Sequence, residues 1–262
     1  MVELDLAGKV TVITGAGRGL GATLARRYAA AGASVVLSGR SVAALEDVAV
    51  AIRGSGGNAV CVAADVSLPA DVQAMFEAAV AAFGRVSILV NNAGIAGPTA
   101  EIADVGLDDW NEVLAVNLTG PFLCCRAAVP IMRQAGGGKI VNIGSVSGKR
   151  PLAMRTPYTS SKMGLLGLTR TLAQEVGKYG INVNLISPWL VKGARLDLVI
   201  ERMARTREVQ PSAVRAELVG LSPLGRGVSE NDVANVALFL SSSAADNMTG
   251  QDINVSAGAV MY

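Results

Sequence analysis

The sequence predicts a single α/β domain of the doubly wound class, with a seven-stranded parallel sheet and helices on both faces. Three observations predict it. Short β-branched runs alternate with segments of helical apolar spacing along the chain. The composition is 51% apolar and only 4% aromatic, with 30 glycines, which suits close helix-on-sheet packing and strands buried on both sides. Finally, the 262 residues contain no linker or repeat that would divide them, and one core can support that length.

The strand-like runs are residues 10–14, 34–38, 59–63, 87–91, 139–144, 182–187 and 252–255. The first reads Val10-Thr11-Val12-Ile13-Thr14 and the second carries Val35-Val36-Leu37; such short unbroken apolar runs suit a central parallel strand. Between them, residues 20–31, 42–53, 71–83, 108–134, 158–179 and 232–240 repeat apolar side chains at helical intervals. Gly136-Gly137-Gly138 reads as a turn into the fifth strand. The rhythm breaks at about 190–226, a charged stretch with Pro211 and Pro223 and short helical patterns but no strand. It reads as a substrate-loop excursion beside a site, with residues 196–207 as a lid.

Charge and composition exclude several functions. With 23 Lys and Arg against 21 Asp and Glu, scattered along the chain, no basic stripe for nucleic acid is expected. No run approaches the length of uncharged apolar residues that a membrane span needs, and no basic region and apolar signal core opens the chain, so a soluble cytoplasmic protein is expected. Cys61 and the adjacent Cys124 and Cys125 suggest no disulfide framework. The absence of histidine excludes a Ser-His triad, a Cys-His dyad and His-ligated zinc, and no metal site is expected. An acid or base must be Asp, Glu, Lys, Tyr or Cys.

Thr14-Gly15-Ala16-Gly17-Arg18-Gly19-Leu20-Gly21 joins the first strand to a helix. Glycines there allow a tight turn and close approach of backbone to a pyrophosphate, which the helix N-terminus attracts. No Gly-Lys-Ser or Gly-Lys-Thr follows, so a nucleotide-triphosphate loop fits poorly. The second strand ends Ser38-Gly39-Arg40, without the carboxylate that would accept from a ribose 2′-hydroxyl. Arg40 and Arg18 could instead hold a 2′-phosphate, favouring NADP over NAD, or Arg40 could simply end an exposed strand.

Tyr158 and Lys162 are four residues apart in a segment that begins Thr156-Pro157, with Thr156 expected as the N-cap. They would share one helix face. An ammonium beside a phenol favours the phenolate and brings the group into range for proton transfer. By itself the spacing is common by chance and reads first as an ordinary helix-surface pair.

With its neighbours the pattern resembles the short-chain dehydrogenase/reductase family from end to end, a family with the Rossmann fold. The resemblance is carried by the glycine turn, Asp65-Val66, Asn91-Asn92-Ala93-Gly94, the four Asn117, Ser145, Tyr158 and Lys162, Ser187-Pro188, and Thr249-Gly250-Gln251. It implies an oxidoreductase moving a hydride between a nicotinamide cofactor and a carbonyl or secondary alcohol. Tyr158 would be the general acid in reduction and base in oxidation, and Ser145 would bond the reacting oxygen. Lys162 would lower the tyrosine's pKa and hold the nicotinamide ribose, and Asn117 would position a water that passes protons on from Lys162. Gly15, Gly19, Leu20, Gly21, Asp65, Val66, Asn91, Ala93, Gly94, Pro188 and Val191 would line the cofactor.

The chain departs from the family at Pro188-Trp189, where glycine usually follows the proline; Trp189 is expected to form an apolar pocket wall rather than only pack its loop. Lys149, Arg150 and Arg155 would either bind a substrate carboxylate or phosphate or form a solvated surface. The C-terminal segment resembles members acting on sugars and polyols, and a small ketone or a 3-oxoacyl thioester are further substrate classes. A nicotinamide-binding regulator without turnover is the alternative of another kind. The apolar Leu165-Leu166-Gly167-Leu168 face and the family resemblance imply a homo-oligomer, a tetramer or dimer.

Overall fold

A computed structural model describes residues 4–262. Seven strands, β1 (Val10–Thr14), β2 (Ser34–Gly39), β3 (Ala59–Ala63), β4 (Ile88–Asn91), β5 (Gly138–Ile143), β6 (Ile181–Pro188) and β7 (Asp252–Val255), form one sheet in the order β3-β2-β1-β4-β5-β6-β7. Every neighbouring pair is parallel. The chain winds outward from β1 to β3 and then from β4 to β7, so the connections diverge between β1 and β4. A ligand crevice forms at such a switch point, outside the carboxyl ends of the strands.

Helices α1 (Gly19–Ala30), α2 (Val42–Gly54), α3 (Pro69–Phe83), α4 (Leu107–Leu114), α5 (Gly120–Gln134), α6 (Thr156–Val176), α7 (Ala194–Thr206), α8 (Pro211–Gly220) and α9 (Glu230–Ser241) complete the layers. Alternate strand residues feed opposite faces. Ile13, Val35 and Leu37 meet α1, α2 and α9, whereas Val12 and Val36 meet α3, α5 and α6. Both faces are therefore apolar, which is why the strands read as unbroken runs. Gly136 and Gly137 take φ of 80° and 146° in the turn before β5, conformations that glycine adopts without steric cost.

Tyr28 of α1 is buried under α9. Its hydroxyl donates to the Ala237 carbonyl at 2.9 Å and lies 2.7 Å from the Ser241 hydroxyl. Burial pushes the phenol up, so it stays neutral. Tyr28→Phe removes this donor from a dry layer and is expected to cost about 1–2 kcal/mol, read as a lower urea midpoint with unchanged m-value.

Two expectations about helices change. Arg155, not Thr156, holds the N-cap position of α6, and Thr156 opens the helix itself. The segment 107–134 is one continuous helical rod of 28 residues, long and apolar enough by length and composition to cross a membrane. The helical reading of 108–134 holds; what changes is the apolar length, since the run is apolar enough despite Asn117, Gly120 and the charged Arg126 within it. The rod packs along the sheet, burying Val113, Leu123, Cys124, Ala128 and Met132. Its middle, Ala115–Thr119, is a π-helical turn. Such a bulge admits one extra residue and turns the side chains around it, and it is common at functional sites.

The excursion after β6 folds into α7 and α8 and makes a third apolar cluster around Trp189, Ile200, Met203, Val214 and Leu218.

Candidate active site

The turn after β1 is built for close backbone contact. Gly15 and Gly19 have φ of 67° and 54°. A Cβ on Gly21 would stand 2.0 Å from the Gly15 carbonyl oxygen and 2.6 Å from Asn92 Nδ2, so the turn closes only with glycine there. No side chain caps α1, and its first turn holds no acidic residue. Its free N–H groups and helix dipole are thus available to an anion, and a dinucleotide pyrophosphate fits this cradle.

Two residues that the sequence motifs include, but to which sequence reasoning gave no role, tie the turn to the segment after β4. Thr14 Oγ1 accepts from the Asn92 and Ala93 amides at 3.1 and 3.0 Å, and Asn92 Nδ2 donates to the Thr14 and Gly15 carbonyls at 2.9 and 3.2 Å. A threonine ending a strand and a doubled asparagine were the available signals. Asn91, expected to face the cofactor, turns the other way. Its Nδ2 donates to Asn142 Oδ1 at 2.9 Å and approaches Cys125 Sγ at 3.4 Å inside the core. The alternation of side chains along a strand explains the difference: if Asn92 reaches the turn, Asn91 faces α5.

Asp65 forms its own turn, accepting from the Ser67 amide at 2.9 Å and hydroxyl at 2.6 Å. Those bonds, with the Arg40 guanidinium nearby, hold its carboxyl below the usual range. Arg18 and Arg40 are both exposed, at the turn and at the end of β2. Val66 packs over Gly120 of α5, where an added Cβ would meet Val66 Cγ2 at 2.8 Å.

Tyr158 and Lys162 lie on the first turns of α6, against the end of β5. Lys162 is buried, its Nζ donating to the Ile143 carbonyl at 2.8 Å and standing 5.8 Å from the centre of the Tyr158 ring. Burial alone would raise the Tyr158 phenol, but the charges of Lys162 and Arg195, hydrogen bonding from Ser145 and the charge of Arg155 outweigh it and pull the phenol below the ordinary tyrosine value. Burial is also the largest influence on Lys162 and lowers its pKa, opposed by Tyr158 and reinforced by Arg195. Ser145 stands two residues past the end of β5, its hydroxyl accepting from the Ser147 amide at 3.1 Å.

Asn117 sits in the π turn, fully buried. Its Oδ1 accepts from the Ile95 amide at 2.8 Å, while Nδ2 donates to the Ile95 carbonyl at 3.0 Å and to Ser161 Oγ at 3.1 Å. The amide thereby clamps the loop after β4 onto α6, next to Gly94. Pro188 ends β6 opposite Val255, and Val191 packs against the α1 side of the core.

The three basic residues of the loop after β5 separate, and none lies on a solvated surface. Lys149 pairs with Asp252 at 2.7 Å, both nearly buried, and Asn254 accepts a further bond from it. Arg150 donates to the Ala259 carbonyl at 3.2 Å. Both belong to the C-terminal strand's anchorage. Arg155 alone turns to the site, its guanidinium 5.0 Å from the centre of the Tyr158 ring. Trp189 is 3% exposed beneath α7 and α8, with no hydrogen-bond partner on its indole nitrogen among the described residues. It packs the loop rather than walling an open pocket.

Comparison with known proteins agrees with this geometry. A family model described as enoyl-(acyl carrier protein) reductase matches residues 15–260. The chain is 37% identical to D-threitol dehydrogenase of Mycolicibacterium smegmatis, over 98% of this chain and 94% of that protein. It superposes on a crystal structure of NAD+-bound xylitol dehydrogenase with a TM-score of 0.92 at 31% identity, covering 95% of this chain and 98% of that one. An actinorhodin polyketide ketoreductase variant with NADPH gives a TM-score of 0.92 at 32% identity, covering 97% and 98%. Fold and site define a nicotinamide-dependent oxidoreductase of the hydride-transfer kind. The chain belongs to the short-chain dehydrogenase/reductase family.

Proposed function

We propose that the protein interconverts a secondary alcohol and a ketone, with Tyr158 giving the proton in reduction and taking it in oxidation. The observation that carries this is the setting of the phenol: half-buried, beside Lys162, and held below the ordinary tyrosine range by positive charge. The nicotinamide, when bound, supplies or accepts the hydride. Ser145 bonds the reacting oxygen and stabilises developing negative charge on it. Lys162 holds the ribose hydroxyls and favours the phenolate. Asn117 keeps the loop after β4 in place and positions a water that relays protons from Lys162. Backbone and side chains at Gly15, Gly19, Leu20, Gly21, Asp65, Val66, Ala93, Gly94, Pro188 and Val191 line the cofactor.

We favour NADP, because Arg18 and Arg40 flank the place where a 2′-phosphate would lie and β2 ends without a carboxylate. Kinetics with both cofactors test this: NADP is expected to be preferred at least about tenfold, and Arg40→Ala to erase the preference through KM for NADP. A tenfold preference for NAD, unchanged by Arg40→Ala, would sink the idea.

Sugars, polyols and small ketones are the favoured substrates, supported by the similarity to the threitol and xylitol dehydrogenases. A 3-oxoacyl thioester is the second reading, favoured by the ketoreductase similarity. Assay of D-threitol, xylitol and an acetoacetyl thioester, read by absorbance of the reduced cofactor, separates the two. A homo-oligomer, with a tetramer first in order, accounts for the exposed Phe122 and Met163 on α5 and α6. The favoured setting is the cytoplasm.

A further inference from the structure

Three guanidiniums gather at the mouth of the site from two distant parts of the chain. Arg155 is 4% exposed and lies over the Tyr158 ring. Arg195 and Arg202 stand two turns apart on α7. All three reach the same strip, residues 94–99: Arg195 Nη2 donates to the Gly94 carbonyl, Arg202 Nη1 to the Gly97 carbonyl at 3.1 Å, and Arg155 Nη1 to the Pro98 carbonyl and Thr99 Oγ1, each at 3.3 Å.

Among the described residues none of the three has a carboxylate within ion-pair distance. Asp197, the acid on the first turn of α7, is taken by Arg215. Carbonyl oxygens accept hydrogen bonds but carry no net charge, so the cluster keeps its positive charge. A buried cation without a counter-charge is costly, and neighbouring like charges add to that cost. Burial, then Arg195 and Arg202, indeed make Arg155 easier to deprotonate, and only Tyr158 opposes them. Each recorded bond uses one terminal nitrogen of its arginine, leaving other N–H groups for the paired oxygens of an anion.

We propose that Arg155, Arg195 and Arg202 bind an anionic group, a carboxylate or a phosphate ester, carried by the substrate beside its reacting carbon. Within the classes proposed above, the substrate is then one that carries such a group: a hydroxy or oxo acid, or a phosphorylated sugar, polyol or ketose. The proposal rests on the reading of Tyr158 as the acid–base residue, which sets where the reacting carbon lies. Binding of the anion also pins α7, through Arg195 and Arg202, against the 94–99 strip and closes the excursion over the substrate.

The test uses cofactor-saturated protein and calorimetric titration, so that it does not depend on turnover. Acetoacetate is compared with methyl acetoacetate, and dihydroxyacetone phosphate with dihydroxyacetone; the two arms tell a carboxylate site from a phosphate site. At least one anion is expected to bind about tenfold or more tightly than its neutral partner, with the preference shrinking as salt rises. In Arg195→Gln/Arg202→Gln, whose parent side chains are exposed on α7, the preference is expected to fall below about threefold. Equal affinities, failure of both anions to bind, or a preference that survives the double substitution overturns the proposal. So does a loss of cofactor affinity in the double variant with the anion preference intact, which would assign both arginines to the cofactor's own phosphates. Turnover of the same pairs, followed by cofactor absorbance, is a separate readout. Tight anion binding with no turnover anywhere would contradict the Tyr158 reading and leave the anion site standing.

Discussion

Tyr158→Phe is expected to lower turnover by about two orders of magnitude or more, while cofactor affinity stays within about threefold of the parent. The ring is kept, so the packing against Arg155 and the half-buried position on α6 survive; only the proton carrier is lost. The pH dependence follows from the direction of the phenol's shift. Its pKa is lowered, so the phenolate forms at a lower pH than in an ordinary tyrosine. Oxidation needs the phenolate and should rise as pH rises through that value, whereas reduction needs the phenol and should fall over the same range. Tyr158→Phe should flatten both limbs. Steady-state kinetics across pH check this, and near-parental turnover in the variant would refute the assignment.

Gly21→Ala is expected to cost about 1–3 kcal/mol of stability and to weaken cofactor binding by about two orders of magnitude. The added methyl would meet the Gly15 carbonyl oxygen at 2.0 Å and Asn92 Nδ2 at 2.6 Å, and the nearest obstacle is backbone. The turn must open or α1 must move away from β1, and either displaces the N–H groups that face the pyrophosphate. Fluorescence titration with the reduced cofactor and a thermal melt measure the two effects. Ordinary cofactor affinity in a folded Gly21→Ala protein would show that the turn is not the phosphate cradle.

The sequence made the sheet legible because its strands are buried on both faces: Val10–Thr14 and Ile181–Pro188 have no solvent side to dilute the apolar signal. The glycine turn and the Tyr158–Lys162 pair were legible because each is local, a few residues whose spacing sets their geometry. What was hidden depends on partners far along the chain. Lys149 and Asp252 meet only once β5 and β7 are placed in the sheet, so a loop lysine that looked free is neutralised. Arg195 and Arg202 reach the residues after β4 from the excursion, where nothing local marks a charged side chain as part of a site. The π turn around Asn117 arises from a shift in backbone pairing that apolar periodicity does not record. Trp189 read as a pocket wall because its loop was foreseen, but the short helical patterns that follow gave no sign that they pack over it.

Transfer of label from reduced cofactor to product tests the central claim most directly. The protein is incubated with NADPH deuterated at the transferring position and with the carbonyl compounds above, and the products are read by mass spectrometry. One deuterium on the new carbinol carbon is expected with the parent protein, and about a hundredfold less labelled product, or lower still, in the same time with Tyr158→Phe. Cofactor oxidation without label in the product, or equal labelling by the two proteins, would contradict the account.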